Sequence, residues 1–397
     1  MPKLKCSLCA FEAHLLTNHL LEAHGVTEES YDGDTVSPEL DAAYEASVKG
    51  RRRTAFKGTE GVKVSFAGIP FALNVDVPVG GCLPMPANYA VPQFGKLAAA
   101  VRAVAVRVAA GNNKPVWIWG PPGTGKDAVC AALSARTRRP AIMFNIAPDV
   151  DVAAWLDTRA FSATGTYWEE GPLLKAIRDG YLTPSGRRVP YLIVLSDLDR
   201  ASRGQMEPLR AILDSLGGRI QSQSGMHKVL PGTLIIATAN TSGGGDTTGR
   251  FSSTPVDTSI LDRFTFKVTF TDMDSRDEEP LIRAKYPDLC ARFPELLPTV
   301  IRATTAIRDA VKKEDLYLDF GHRSVSNWMD ATAAEAACAP GVTDYSRMLR
   351  AGLQDVLAGC PNDDTRESLK KLVDPHIRGG AVDEGDTSHI SRDPLNR

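Results

Sequence analysis

The sequence predicts an α/β protein: a parallel sheet with helices on both faces, extended by a C-terminal helical lid and preceded by a small N-terminal metal-binding unit. Three observations predict it. The apolar run Val116-Trp-Ile-Trp119 leads through Gly120-Pro-Pro-Gly-Thr-Gly-Lys-Asp127 into the helix-compatible run Ala128-Val-Cys-Ala-Ala-Leu133, which is the strand, glycine loop, helix order of a phosphate site. Short apolar strands then alternate with helical segments across residues 93–272, the pattern of a doubly covered parallel sheet. Beyond residue 272 the strand signals stop, and helical segments with charged faces run to about residue 373.

The composition sets the bounds. With 397 residues, 43% of them apolar, 24% charged and a formal net charge of −2, the chain reads as a globular protein of two or three domains. Bulk charge gives no sign of a nucleic-acid partner. No apolar run approaches the roughly 18 residues of a membrane span, and Met1-Pro-Lys-Leu-Lys-Cys6 lacks the apolar centre of a signal peptide. Seven cysteines, one close pair and five scattered, fit reduced thiols and a cytoplasmic setting.

Residues 1–27 form the first predicted unit. Cys6-Ser-Leu-Cys9 with His19 and His24 gives Cys-x2-Cys-x9-His-x4-His, near the spacing of a tetrahedral zinc site. His14 lies too close to Cys9 to serve in their place. The alternative is an amphipathic helix bearing surface histidines. The residues around the ligands, Leu-Thr-Asn-His-Leu and His-Gly-Val-Thr, resemble the short zinc fingers of Ros/MucR-type regulators, which implies contact with DNA or with protein.

Residues 28–92 are expected to be a linker and extended segment. Lys49, Arg51, Arg52, Arg53 and Lys57 make a basic cluster, either a solvated connector or a contact to a phosphate backbone. Residues 62–92, rich in Val, Gly and Pro, are expected to form short strands or a clamp.

In residues 93–272, helices are expected at 94–110, after Lys126, around Ala153, at 173–177 and at 206–216. Strands are expected at 116–119, 141–144, 191–195, 233–237 and 266–270, with a hairpin around Ser224-Gly225. The glycine loop, Gly120, Pro121, Pro122, Gly123, Thr124, Gly125, Lys126 and Asp127, points to ATP: its backbone amides and the helix start face an anion, and Lys126 adds a point charge. The residue after that lysine should carry a hydroxyl for magnesium, and here it is Asp127. The strand ending Leu195-Ser-Asp-Leu-Asp-Arg200 makes the opposite departure, with Ser196 where a magnesium-shell carboxylate is usual. One carboxylate and one hydroxyl are thus kept with positions exchanged. Asp127 is expected at the magnesium and Ser196 at Asp127, with Asp197 as the base for the attacking water. Asn240 ends a buried strand, where it would reach the γ-phosphate or simply cap a turn. Arg263, in Ile260-Leu-Asp-Arg-Phe264, is a candidate for charge stabilisation in a neighbouring subunit's site.

The run Ala237-Thr-Ala-Asn-Thr-Ser-Gly-Gly-Gly-Asp-Thr-Thr-Gly-Arg250, closing with Leu261-Asp-Arg-Phe264, resembles the MoxR/CobS branch of AAA+ ATPases. The resemblance spans about residues 90–340 and implies a P-loop AAA+ domain over 93–272 and a lid over 273–373. It also implies a six-membered ring with ATP and magnesium at subunit interfaces, Asn240 as sensor one, Arg263 as trans arginine finger and Arg323, in Gly321-His-Arg-Ser324, as sensor two. It further implies remodelling of a partner with a von Willebrand A-type domain, as in a chelatase complex. Residues 161–171, with Tyr167 and Trp168, would be an inserted loop near the ring's pore, against the alternative of core packing. Typical members carry Thr after the P-loop lysine and Asp-Glu on the strand, so the exchange of Asp127 and Ser196 departs from the pattern. Alternative functions are a nucleotide-gated DNA-binding scaffold with slow or no hydrolysis, and a motor acting on DNA. Residues 374–397, polar and rich in Gly and Asp, are expected to be a disordered tail.

Overall fold

The computed structural model describes residues 63–377, apart from 112–113, 164, 247–252 and 340, together with the backbone of two short N-terminal strands. These strands, β1 (Leu4–Lys5) and β2 (Glu12–Ala13), pair antiparallel. The chain divides into two compact units, Met1–Leu281 and Ile282–Arg397.

In the first unit, β3 (Lys63–Phe66) and β4 (Ile69–Ala72) form a hairpin within the stretch expected to hold short strands. Helix α1 (Gly95–Ala109) leads to β5 (Val116–Trp119), the glycine loop and α2 (Lys126–Thr137). Next come β6 (Ala141–Asn145), a hairpin of β7 (Asp157–Ser162) and β8 (Gly165–Glu170), and α3 (Pro172–Asp179). A short pair, β9 (Tyr181–Leu182) and β10 (Arg188–Val189), precedes β11 (Leu192–Ser196) and α4 (Met206–Asp214). The expected second hairpin is β12 (Arg219–Ser222) with β13 (Gly225–Lys228), followed by β14 (Leu234–Ala239), the one-turn α5 (Thr258–Leu261) and β15 (Phe266–Thr269).

The central sheet has five strands in the order β15-β5-β14-β11-β6, every neighbouring pair parallel. All five residues of β11 and all six of β14 are buried, as both faces of a parallel sheet require. Successive side chains point to opposite faces, so alternate residues enter two separate cores. Trp117, Ile193, Leu195, Ile235 and Ala237 pack with Leu173 and Ile177 of α3 and Leu209 and Ile212 of α4. Val116, Ile118, Leu192, Val194, Leu234 and Ile236 pack with Val101 and Val104 of α1 and Val129 and Leu133 of α2. Each large aliphatic buried in this way contributes about 1.5–3 kcal/mol. This arrangement fits the P-loop AAA+ fold.

Three expectations need correction. The segment around Ala153 is a three-residue 3-10 turn, Ala153–Trp155, because a run so short cannot repay helix nucleation. Residues 161–171 belong to the β7–β8 hairpin, in which Phe161 is 79% exposed, Tyr167 50% and Trp168 43%, so core packing does not explain these aromatics. Residues 374–377, expected in the tail, belong to the last helix, which runs to Ile377 with Val373 and Ile377 buried, and residues 378–397 lie outside the described residues.

The second unit is helical: α6 (Ser275–Lys285) crosses the boundary, and α7 (Pro287–Arg292), α8 (Leu296–Lys312), α9 (His322–Cys338), α10 (Tyr345–Ala358) and α11 (Asp363–Ile377) follow. Its core centres on Trp328, fully buried, whose indole N–H donates to the Leu349 carbonyl at 2.9 Å. Gly352 lets α10 approach α9, since a Cβ there would come within 2.6 Å of Thr332 Oγ1.

Candidate functional site

The site lies at the carboxyl ends of the central strands, where ligands of open α/β sheets bind. The loop leaves β5 at Gly120, whose φ is +154° and whose Cβ, if present, would sit 2.1 Å from the Phe270 carbonyl oxygen. Only glycine fits there. At the other end Gly125 adopts φ +82° as the residue capping α2, so the first amides of the helix face the loop.

Lys126 is buried and donates from Nζ to the carbonyls of Gly120 at 2.8 Å and Pro121 at 2.9 Å, and to Asn240 Oδ1 at 3.0 Å. The lysine and the asparagine, 114 positions apart in sequence, are therefore neighbours. Asp127, in the first turn of α2, accepts from Ser196 Oγ at 2.7 Å through Oδ2 and from Thr238 Oγ1 at 2.7 Å through Oδ1. Strand alternation explains the meeting. Residues 194 and 236 face the α1–α2 core, so Ser196 and Thr238, two positions on, face the same side, where α2 begins.

Asp197 follows directly on β11 in a left-handed conformation, φ +56°, uncommon for a residue with a side chain. This kink turns a half-buried carboxylate away from the strand. Burial first, then the charges of Asp127 and Asp199, hold the Asp197 carboxyl above the usual aspartate value, with Arg200 and Lys126 opposing. The Asp197 amide donates to Thr238 Oγ1 at 3.3 Å.

Two residues that sequence reasoning missed complete the cluster. Thr238 bridges Asp127 and the Asp197 backbone. Asp199, fully buried, accepts through Oδ2 from the Asn240 amide at 3.0 Å, the Thr241 amide at 2.9 Å and Thr241 Oγ1 at 3.0 Å, and so fixes the turn that carries the Asn240 side chain. For Thr238 the signal was its place two residues after Ile236 on a buried strand. Asp199 gave none, because its partners lie about 40 residues away.

Arg263 stands apart from this cluster. It makes a two-pronged pair with Asp214 of α4, Nε to Oδ1 at 2.6 Å and Nη2 to Oδ2 at 2.8 Å, and a further bond to the Ser259 carbonyl. Arg323 is the second residue of α9, in the second unit. Cys6, Cys9, His19, His24 and the basic cluster at 49–57 lie outside the described residues. Among the described residues no group of three or more His, Cys, Asp or Glu side chains is arranged to hold a metal.

Asp127, Asp197 and Asp199 stand against Lys126 and Arg200, which leaves a cluster of carboxylates with one negative charge in excess. Magnesium takes one or two protein carboxylates and completes its shell with water and phosphate, so Asp127 with its hydroxyl neighbours fits it, whereas Asp199 is spent on the Asn240 turn.

Comparison with known proteins agrees with the fold. Residues 115–264 match the family model of the AAA domain (dynein-related subfamily). The chain is 25% identical over 222 residues to the aerobic cobaltochelatase subunit CobS of Sinorhizobium sp, covering 55% of this chain and 65% of that protein. It is 30% identical over 108 residues to protein NorQ of Paracoccus denitrificans (strain Pd 1222), covering 27% of this chain and 38% of that one. The matched region is thus less than two thirds of the length of either relative. The crystal structure of NtrX from Brucella abortus in complex with ADP is similar at a TM-score of 0.45 and 16% identity, over 74% of this chain and 65% of that one, too distant to bear on the site. Residues 115–264 are thus similar to an AAA domain, and the relatives named are CobS and NorQ.

Proposed function

We propose that the chain is an ATP-hydrolysing AAA+ protein of the MoxR/CobS type that assembles as a ring, expected to be hexameric, and uses ATP turnover to remodel a partner protein. The observation that carries this reading is the convergence of Lys126, Asn240, Asp127, Ser196 and Thr238 at the end of one sheet. These are a phosphate cation, a γ-phosphate sensor and a metal carboxylate with its hydroxyl supports.

In this reading Gly120 to Asp127 cradle the phosphates, and Lys126 exchanges its carbonyl partners for phosphate oxygens. Asp127, steadied by Ser196 and Thr238, would hold magnesium, with Ser196 in the same shell. When bound, the metal neutralises phosphate charge. Asp197 accepts a hydrogen bond from the attacking water and takes its proton, and its raised pKa makes it a better acceptor than an ordinary aspartate. Asn240 orients that water or the γ-phosphate. Arg263 would leave Asp214 to reach the site of a neighbouring subunit, and Arg323 would contribute from the lid as sensor two. The exposed aromatics of the β7–β8 hairpin support contact with a remodelled chain at the pore. By analogy with CobS the partner carries a von Willebrand A-type domain in a chelatase-like complex. The zinc finger at Cys6, Cys9, His19 and His24 would recruit a partner, either protein or DNA; the β1–β2 ladder brackets Cys6 and Cys9 in sequence. Fewer than about half an equivalent of zinc per freshly purified chain would remove the finger.

Steady-state ATP hydrolysis tests the central claim. Turnover that disappears in Lys126→Ala supports the motor. Tight ATP binding with no turnover in the natural chain overturns it in favour of a nucleotide-gated DNA-binding scaffold, which the two altered motif positions would also suit. Stimulation by DNA, lost on deleting residues 1–57, would redirect the motor to DNA.

A further inference from the structure

At the amino ends of the same strands, opposite the glycine loop, the segments entering β5, β6, β11 and β14 surround a cavity of 190 Å³. Three arginines line it: Arg139, just before β6, and Arg187 and Arg188, just before β11. Their charges are not balanced alike. Arg187 pairs with the buried Asp76, and Arg188 pairs with Asp179 at 3.0 Å. Arg139 has no carboxylate; it donates from Nη2 to the Gly232 carbonyl at 2.6 Å, and its buried Nε–H has no acceptor. The buried Arg187 Nε–H also lacks one.

A guanidinium held in this way is costly. Burial pushes Arg139 down to about 10, so at neutral pH the group stays charged and its desolvation is only partly offset. The adjacent end of α2 offers some relief, since Arg139 directly follows its C-cap, Arg138, and a helix C-terminus carries roughly half a negative charge. Half a charge and one neutral carbonyl do not match a full cation, and neither satisfies the orphaned Nε–H. The cavity wall therefore carries about one net positive charge. Its size narrows the ligand. At 190 Å³ it falls short of the roughly 300–1,000 Å³ of pockets for drug-sized molecules but exceeds the roughly 30 Å³ share of a single water. The space is enough for a small polyatomic anion.

We infer that this cavity is a binding site for a small oxyanion of the phosphate class, seated on Arg139 with Arg188 closing the charged wall. The planar guanidinium of an arginine suits phosphate oxygens, and the anion would offset the unpaired charge of Arg139. The site is distinct from the glycine loop, which lies at the other end of β5, and it does not depend on the ATPase reading.

The test titrates inorganic phosphate into the full chain carrying Lys126→Ala, so that the loop lysine contributes nothing, at constant ionic strength with chloride as the exchanged anion. Titration calorimetry is expected to give saturable binding, weakened about tenfold or more by adding Arg139→Gln. Arg188→Gln, at a side chain about half exposed, is expected to weaken it about threefold or more. The absence of saturable phosphate binding over chloride, or binding that survives both substitutions unchanged, overturns the inference. If Arg139→Gln does not fold, unchanged binding in Arg188→Gln alone overturns it.

Discussion

The two ends of the central sheet carry opposite charge problems. At the carboxyl end three carboxylates, Asp127, Asp197 and Asp199, face Lys126 and Arg200, and Asp127 and Asp199 take hydrogen bonds from hydroxyls and amides. At the amino end one guanidinium, Arg139, has a neutral carbonyl and an unmatched N–H. One end gathers anions around donors and wants a cation; the other holds a cation and wants an anion. The difference teaches that charge balance has to be read separately at each end of a parallel sheet, because a net charge of −2 over the whole chain conceals both.

The sharpest way to break the carboxyl end is Lys126→Ala, which is expected to lower ATP turnover about 1,000-fold, measured as steady-state phosphate release. Chelating magnesium comes next. A carboxylate about 4 Å from a phosphate charge opposes it by about 4 kcal/mol at an effective dielectric of about 20, so ATP affinity should fall about 100-fold or more in excess chelator. Equal affinity with and without chelator removes Asp127 from the metal. In the same series Asp127→Ser with Ser196→Asp is expected to exceed either single variant in turnover. Asp199 gives a smaller effect. Asp199→Ala should reduce kcat about tenfold while ATP affinity changes by less than about threefold, since it frees the Asn240 turn without touching the loop, and Asp199→Asn, which keeps an acceptor, should recover most of the loss.

The smallest expected effect concerns pH. Asp197 has a folded pKa raised above its unfolded value near 4, so its protonated form is favoured by folding. The associated stability is present below about pH 4 and is lost as pH rises through the folded value. Asp197→Asn should therefore raise the thermal midpoint by about 1–3 °C at pH 7, and the gain should shrink on acidification toward pH 4. A gain that grows on acidification would mean that Asp197 is stabilised as a carboxylate and is poorly suited to act as a base.

Much of this was legible in the sequence where local rules decide. The apolar runs 192–195 and 234–237 had to be buried strands, and the glycine loop between β5 and α2 read as a phosphate site. The contact between Asp127 and Ser196 could be expected because both positions belong to motifs that meet in space. Thr238 was harder, since it needed the strand register as well as the strand. Asp199 and the arginine cavity could not be read, because each depends on segments distant in sequence meeting at the end of a strand. The exposure of Phe161 and Trp168 was equally hidden: the alternating pattern of a hairpin is the same whether a partner face covers it or not.

The bond between Arg263 and Asp214 has one more consequence. The two side chains are 28% and 55% exposed, and an ion pair so placed is worth about 1 kcal/mol or less. A resting arginine tethered this lightly can change partner at almost no cost, so its preference would follow whichever anion is nearer and more highly charged. In the proposed ring the pair would act as a parking place, keeping the guanidinium folded against its own subunit in dilute solution and releasing it if a phosphate came within reach from a neighbouring one. Such an exchange would be sensitive to salt and to protein concentration together, a joint dependence that a permanently fixed arginine would lack.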